Sequence, residues 1–170
     1  RLHPIHPSRT NSVSIITVCP KIGLSFRPNL KSEISNLKSK MNDDKPTVLE
    51  ANKAFYRAFE RKDIEAMSSV WSQGVATICV HPGWQALKGW KDIRYSWEQI
   101  FKNTNYIEIE PEIVVAEVRG DIAYVFLVEN VFQVINGRRV QAQSLATNVF
   151  ERMAQKWYLI NHHASPVMRS

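Results

Sequence analysis

Four long apolar runs follow one another in the C-terminal half of the chain, and they restrict its fold more than any other feature. They span residues 106–118, 122–134, 139–152 and 156–164. Asn136-Gly137 separates the second run from the third, and both residues tolerate the positive φ of a two-residue hairpin turn. Gly120-Asp121 and Ala154-Gln155 occupy the equivalent places between the other runs. Strands joined by such short turns lie antiparallel beside each other, so the sequence predicts a four-stranded meander.

Helical spacing predicts three helices before this meander. Apolar residues three and four positions apart predict an amphipathic helix over residues 46–61. Pro46 favours a start there, because the residue before a proline is disfavoured in the helical region. Asp63 is expected to cap a short second helix. A third helix is expected over residues 89–102, after a short strand at 75–80.

This order of elements predicts an α+β fold, in which the three helices lie on the concave side of a curved antiparallel sheet. A sheet that bends around a long helix forms a cone with one open end, and such a cone is a natural pocket for a small molecule. A chain of 170 residues is long enough to bury this core without metal ions or disulfides.

The positive charge of the chain is confined to its first 40 residues. Residues 1–40 contain seven Lys or Arg and one acid, whereas residues 41–170 contain fifteen of each charge. We therefore expect residues 1–40 to be a disordered basic leader or upstream extension, and residues 41–170 to form the domain. Because the folded part has no excess of positive charge, a nucleic-acid partner is not predicted. No apolar run is long enough to span a membrane, so no membrane partner is predicted either.

The two cysteines, Cys19 and Cys79, form no disulfide framework and have no metal-ligand spacing. Such sparse cysteines favour a reducing compartment, so a cytoplasmic protein is expected. An organelle is the alternative if residues 1–40 are a transit segment, since that stretch is rich in serine and poor in acids.

Two stretches of the sequence resemble a known family. Residues 76–84 read ATICVHPGW, and the later stretch comprises residues 146–151 (ATNVFE) and 157–166 (WYLINHHASP). They resemble the SnoaL-like family of the nuclear transport factor 2-like, or ketosteroid isomerase-like, fold. The last strand also resembles that of the calcium/calmodulin-dependent kinase association domain, where a histidine stands two positions before a serine. The resemblance implies a cone-shaped, cystatin-like roll, a fold that hosts isomerases, cyclases, dehydratases and binding modules.

The resemblance does not extend to the residues that ketosteroid isomerase uses. That enzyme needs a carboxylate base just before a proline in the first strand, together with a tyrosine and a neutral aspartic acid as oxyanion donors. Aligned without gaps, the base position falls on Val80 and the tyrosine position on Phe55, with Tyr56 one step further round the helix. That specific activity is therefore not predicted.

Polar residues in otherwise apolar elements are the candidate site residues. His81, His163 and Glu129 are the predicted acid–base residues. His163 is expected to point into the cone, because on a strand it shares a face with Trp157, while His162 points the other way. No metal site or cofactor is predicted, because the histidines lack ligand spacing. The residues expected to contact a ligand are Asn52, Tyr56, Trp84, Trp97, Asn130, Asn148 and Trp157.

Two classes of function follow from this pattern. The first is a small-molecule pocket protein, an isomerase, cyclase or hydro-lyase that acts on a small apolar or carbonyl-containing ligand through a His/Glu set. The alternative is a ligand-binding or oligomerisation module without catalysis, in which the polar residues have structural roles. A homodimer through the outer face of the sheet is expected in either case, because Tyr124, Phe126 and Phe132 would otherwise expose apolar area.

Overall fold

The computed structural model describes residues 30–135 and 137–168, and the side chains of all of these except residues 36–43. The predictions made for residues 1–29 therefore lie outside the described residues. The elements, in chain order, are α1 (Leu30–Arg61), α2 (Ile64–Val70), β1 (Ile78–Val80), β2 (Leu87–Lys88), α3 (Trp90–Asn103), β3 (Ile107–Arg119), β4 (Ile122–Ile135), β5 (Arg138–Met153) and β6 (Lys156–Pro166). Within the described part of the chain, no helix is both long enough and apolar enough to cross a membrane.

The six strands form one curved, open sheet in the order β2-β1-β6-β5-β4-β3. Strands β3 to β6 are antiparallel to their neighbours, which confirms the predicted meander. Strand β1 pairs with β6 in parallel, so the sheet is mixed rather than wholly antiparallel. The predicted α+β fold, with helices against a curved sheet, is confirmed.

Helix α1 is longer than the sequence predicts. It begins at Leu30 and passes through Pro46, so the predicted start at Pro46 is wrong. A proline removes one backbone N–H from a helix and biases the residue before it, but contacts elsewhere can offset this cost. Here the Thr47 hydroxyl donates to the Asp44 carbonyl oxygen at 2.6 Å, and Arg152 Nη1 lies 2.6 Å from Asp44 Oδ2. The helix crosses residue 41, where the sequence placed the start of the domain.

The cap of α2 and the last hairpin turn follow the expected chemistry, whereas the strand predicted at 75–80 is limited to Ile78–Val80. Asp63 is the N-cap of α2, and its Oδ1 accepts hydrogen bonds from the backbone N–H groups of Glu65 and Ala66. Ala154 and Gln155 form the last hairpin turn with φ of 47° and 67°, so two residues with side chains adopt the left-handed conformation. The turns at Gly120-Asp121 and Ala154-Gln155 therefore lie where the sequence placed them, whereas Asn136 of the third predicted turn lies outside the described residues.

The core lies between the sheet and helices α1 and α3. The fully buried large side chains include Phe55 of α1, Trp97 of α3 and Phe150 of β5. The rings of Phe55 and Trp97 meet edge to face at 5.7 Å between centroids, a favoured aromatic geometry. Polar side chains buried in this core are therefore shielded from water.

Arg152 is expected to stabilise the middle of α1 against the sheet. Its guanidinium contacts Asp44 and Asp121 and lies 5.2 Å from the Trp157 ring, and its side chain is only 14% exposed. Arg152→Ala should lower the free energy of unfolding by about 1–3 kcal/mol, because it leaves Asp44 without its partner. Urea unfolding measures this change. Arg139→Ala is the matched control, since Arg139 also pairs with a carboxylate and stacks on a ring but is 62% exposed. Equal losses in the two variants would contradict the argument.

Candidate functional site

A hydrogen-bonded chain of buried polar side chains joins α1 to three strands of the sheet. We call this chain the Glu129 network. Asn52 and Tyr56 lie one turn apart on α1, and the other three members lie on β4, β5 and β6. All five side chains are at most 4% exposed. The members are Asn52, Tyr56, Glu129, Asn148 and His162.

The amide of Asn148 determines the direction of the hydrogen bonds in the network. Its Nδ2 donates to Asn52 Oδ1 at 2.7 Å and to the Tyr56 hydroxyl oxygen at 3.2 Å. Since that oxygen accepts from Asn148, the single proton of Tyr56 is free to be donated to Glu129 Oε1 at 2.8 Å. Each group thus has a donor or acceptor role that its neighbours require.

The same amide determines the protonation of His162. Asn148 Oδ1 lies 2.7 Å from His162 Nδ1, and a carbonyl oxygen can only accept, so Nδ1 carries the proton. Nε2 then bears the lone pair. Burial lowers the pKa of His162 from 6.5 to about 3, and the nearby His81 and His163 add to this effect. The ring is therefore neutral at physiological pH.

Burial has the opposite effect on the two acidic groups of the network. It raises the pKa of Glu129 from 4.5 to about 7, and the hydrogen bond from Tyr56 only partly offsets the increase. Burial, together with the charge of Glu129, raises the pKa of Tyr56 well above 10. Glu129 therefore exchanges its proton near neutral pH, while Tyr56 stays protonated as a donor.

A second buried cluster surrounds His81 at the end of β1. The Ser96 hydroxyl donates to the Ile93 carbonyl oxygen at 2.7 Å, so at 2.9 Å it must accept from His81 Nε2. Burial lowers the pKa of His81 to about 4 and raises the pKa of the Cys79 thiol, which lies 3.7 Å from His81 Nε2. Both groups are therefore neutral, and Cys79 is an unreactive thiol rather than a nucleophile.

The Trp97 ring contacts both the His81 cluster and the Glu129 network. The ring centroid of Trp97 lies 4.7 Å from that of His81 and 6.2 Å from that of His162. Phe55 also packs on His162, at 5.0 Å between centroids, and its ring contacts Trp97 at 5.7 Å. The two histidines bond to different partners, Ser96 and Asn148, and so together they do not form one acid–base pair.

A groove between α1 and β3 reaches the Glu129 network. Its volume is about 460 Å³, which is sufficient for a small organic molecule. Asn52 and Tyr56 form the polar part of its lining. Glu129 lies one hydrogen bond behind Tyr56. The apolar lining is contributed by Leu49, Ile109, Pro111 and Ile113, and the charged rim by Glu50, Lys53, Arg57 and Glu60.

The prediction that His163 points into the core is wrong. His163 is exposed and His162 is buried. The reason is a β-bulge in β6, where Leu159 pairs with Phe150 and Asn161 with Val149, so that Ile160 is the extra residue. Beyond a bulge, the side chains alternate between the two faces of the sheet in the opposite order. Trp157 lies before the bulge and residue 163 after it, so the two side chains point to opposite faces.

Three other predicted contact residues also lie away from the Glu129 network. Asn130 bonds to Gln143 and the Glu110 carbonyl oxygen, on the face of β4 opposite that of Glu129. Trp157 is buried near the middle of α1, where its Nε1 donates to the Thr47 hydroxyl. Trp84 is 50% exposed and packs on His81. The structure thus joins Glu129 with three of the predicted contact residues, Asn52, Tyr56 and Asn148.

The sequence analysis missed two residues, His162 and Ser96. Ser96 lies three residues after Ile93, on the apolar stripe of α3. A polar residue within such a stripe is a usable signal, because it must find a partner when it is buried. Among the described residues, no group of three or more His, Cys, Asp or Glu could hold a metal ion.

Comparisons with known proteins agree with this geometry. A family described as the SnoaL-like domain matches residues 48–169. A solved structure from Streptomyces avermitilis, described as a proposed dehydratase of the NTF2-like family, is 36% identical with a TM-score of 0.72. The match covers 76% of this chain and 99% of that one.

Two further matches extend the range of relatives. A proposed calcium/calmodulin-dependent protein kinase type II association domain from Thiobacillus denitrificans is 28% identical with a TM-score of 0.64, over 69% of this chain and 93% of that one. F-box protein SKIP8 from Arabidopsis thaliana is 22% identical over 121 residues, which are 71% of this chain. The matched region spans 50% of that relative's length.

The buried carboxyl of Glu129 should make stability depend on pH. Its pKa is higher in the folded state than in the unfolded state, so between about pH 4.5 and 7 the folded protein binds the extra proton. The free-energy cost of ionising Glu129 in the core therefore grows as the pH rises through this window. Above pH 7 it reaches about 3 kcal/mol, because the pKa is raised from 4.5 to about 7.

Glu129→Gln removes this cost. The free energy of unfolding of the variant, minus that of the unaltered protein, should therefore increase by about 3 kcal/mol as the pH rises from 4.5 to 8. Urea unfolding of both proteins at several pH values measures the difference. Comparing the two cancels the contributions of His81 and His162, whose lowered pKa values destabilise the protein as pH falls below about 6.5. The exposed Glu112→Gln is the control, and a pH-independent difference for Glu129→Gln would contradict the raised pKa.

Proposed function

Because the chain belongs to the SnoaL-like family, we propose that it acts on a small molecule held in the groove between α1 and β3. The observation that carries this proposal is the pair of Tyr56 and Glu129. Tyr56 lines the groove, and its hydroxyl contacts a buried carboxyl that titrates near neutral pH. The apolar side of the groove, beside the Tyr56 and Asn52 side chains, favours a ligand with an apolar part and a carbonyl or hydroxyl group.

The pair is suited to proton transfer at a ligand oxygen. When Glu129 is protonated, it can donate to the Tyr56 oxygen, and the proton of Tyr56 is then available to a group in the groove. A proton can therefore pass from Glu129 through Tyr56 to a hydroxyl on the ligand. This arrangement makes Tyr56 the residue that contacts the ligand and Glu129 the source of the proton.

Loss of water from a β-hydroxy carbonyl compound fits this arrangement best. The hydroxyl leaves as water with the proton that Tyr56 delivers, the carbon–oxygen bond breaks, and a carbon–carbon double bond forms. The proton lost from the carbon beside the carbonyl returns to the pair and restores it. The likeness to a proposed dehydratase supports this class of reaction. An isomerase with a base at the end of the first strand is less well supported, because Val80 occupies that position.

Dehydration can be tested with a panel of β-hydroxy ketones and β-hydroxy acids, by following the ultraviolet absorbance of the conjugated product. Tyr56→Phe should lower kcat by about 10²–10³-fold, because it removes the donor to the ligand oxygen. Glu129→Gln should lower kcat by about 10²–10⁴-fold, because it removes the source of the proton.

Tyr106→Phe is the matched control for this test. Tyr106 also donates to a glutamate, Glu108, but it is half-exposed and outside the network. Its variant should keep full activity. Saturable binding of panel compounds without turnover would contradict the catalytic proposal and leave a ligand-binding module.

Association of two copies is the second candidate function, and the outer face of the sheet favours it. Ile122, Tyr124 and Leu145 lie on this face, and they are 41%, 38% and 40% exposed. The likeness to a kinase association domain supports pairing through such a surface. We therefore keep the homodimer through the sheet as a proposal.

Light scattering should show a species of about twice the chain mass of 19.6 kDa, which dissociates on dilution. Leu145→Lys should weaken association by about tenfold or more, because it places a charge in an apolar contact. Gln85→Lys introduces the same charge in an exposed loop and should leave association unchanged. A monomer at all concentrations would reject this interface.

A further inference from the structure

The N-terminal part of α1 presents an apolar stripe that the domain does not cover. The helix has 32 residues and is therefore about 48 Å long, but the family match begins only at residue 48. Residues 30–35 are all exposed. Among them, Leu30 is 63% exposed and Ile34 is 44% exposed, which is unusual for large apolar side chains on one side of a helix.

The stripe follows a heptad repeat. In the sequence, Leu30 and Leu37 occupy the d positions, and Ile34 and Met41 occupy the a positions. The same register continues into the domain, where the a-position residue Val48 is fully buried against the core. The first part of α1 thus repeats the apolar pattern of the second part, and Leu30 and Ile34, the two stripe residues whose side chains are described, are exposed.

The composition of this repeat identifies its partner. In a parallel coiled coil, a β-branched residue at a, here Ile34, with leucine at d favours two strands. The charges agree, since Glu33 occupies a g position and Lys38 the e position five residues later, which parallel pairing of two identical helices brings together. We propose that residues 30–41 pair in parallel with the same segment of a second copy of this chain, as a short coiled coil.

The domain supplies the stability that so short a coil lacks. A segment of fewer than two heptads is marginal as an isolated helix, because helix nucleation is unfavourable. Here the nucleus is already formed, since α1 packs on the sheet from Val48 onward and Arg152 contacts Asp44. Association then only has to extend an existing helix and bury one stripe.

Disulfide trapping tests the pairing in the full chain. Leu30→Cys is placed in a Cys19→Ser background and oxidised mildly, and the remaining Cys79 is fully buried. In a parallel pair the two d-position thiols face each other, so Leu30→Cys should form mostly disulfide-linked dimers. Ser35→Cys, which is exposed on the other side of the helix, should stay monomeric under the same conditions.

A second pair of variants shows whether the stripe causes the association. Adding Ile34→Lys to the Leu30→Cys chain should strongly reduce the disulfide-linked dimer, whereas adding Ser35→Lys should not. The helix content of both chains, measured by circular dichroism, controls for unfolding. The variants at residues 30, 34 and 35 do not touch the outer face of the sheet, so this test is independent of the sheet interface.

Several outcomes would overturn the proposal. Equal trapping of Leu30→Cys and Ser35→Cys would indicate random collision. An absence of trapping at Leu30→Cys would rule out parallel pairing, because in an antiparallel pair aligned on these four positions the two thiols stand about 16 Å apart. Protection of the thiol of Leu30→Cys from maleimide in a monomer would mean that another segment of the same chain covers the stripe.

Discussion

The side-chain amide of Asn148 is the interaction on which the interior of this protein depends. It forms hydrogen bonds with both Tyr56 on the helix and His162 on the neighbouring strand. An amide has a donor end and an acceptor end, so it imposes opposite roles on these two partners. Tyr56 must direct its proton to Glu129, and His162 must carry its own on Nδ1. A carboxyl in the core is tolerable only because this chain of bonds leaves its partner with a proton to donate.

The cost of that arrangement is also what makes the site chemically useful. A carboxyl that is buried with a single hydrogen bond from Tyr56 keeps a pKa of about 7, close to the value that suits proton transfer in neutral solution. Burial lowers the pKa values of the two buried histidines instead, because leaving water penalises the charged imidazolium far more than the neutral ring. Hence Glu129, rather than His81 or His162, is the group whose charge changes near neutral pH. The acid–base candidate is selected by desolvation and not by the usual preference for histidine.

The fold could be predicted from the sequence because its signals are local. Hairpin turns such as Gly120-Asp121 and an N-cap such as Asp63 act within a few residues of themselves. The site could be predicted only in part. Asn52, Tyr56 and Glu129 interrupt apolar patterns, so their burial could be predicted. The direction of the His163 side chain depends on a bulge at Ile160, which no local sequence pattern predicts. Local rules also predict a helix start at Pro46, whereas α1 continues through this residue because long-range contacts stabilise it.

Pro46 explains why the contacts of Arg152 matter for the whole of α1. A proline inside a helix lacks the N–H that would bond to the carbonyl four residues earlier, so the backbone alone holds the helix less firmly at this point. Arg152 bonds to Asp44 in α1 and also to Asp121 at the β3–β4 turn. These contacts hold the helical turn around Pro46 against the sheet. Side-chain contacts thus replace a missing backbone bond. The consequence is that one helix, continuous through the proline, can both supply Tyr56 to the groove and project an apolar stripe beyond the domain.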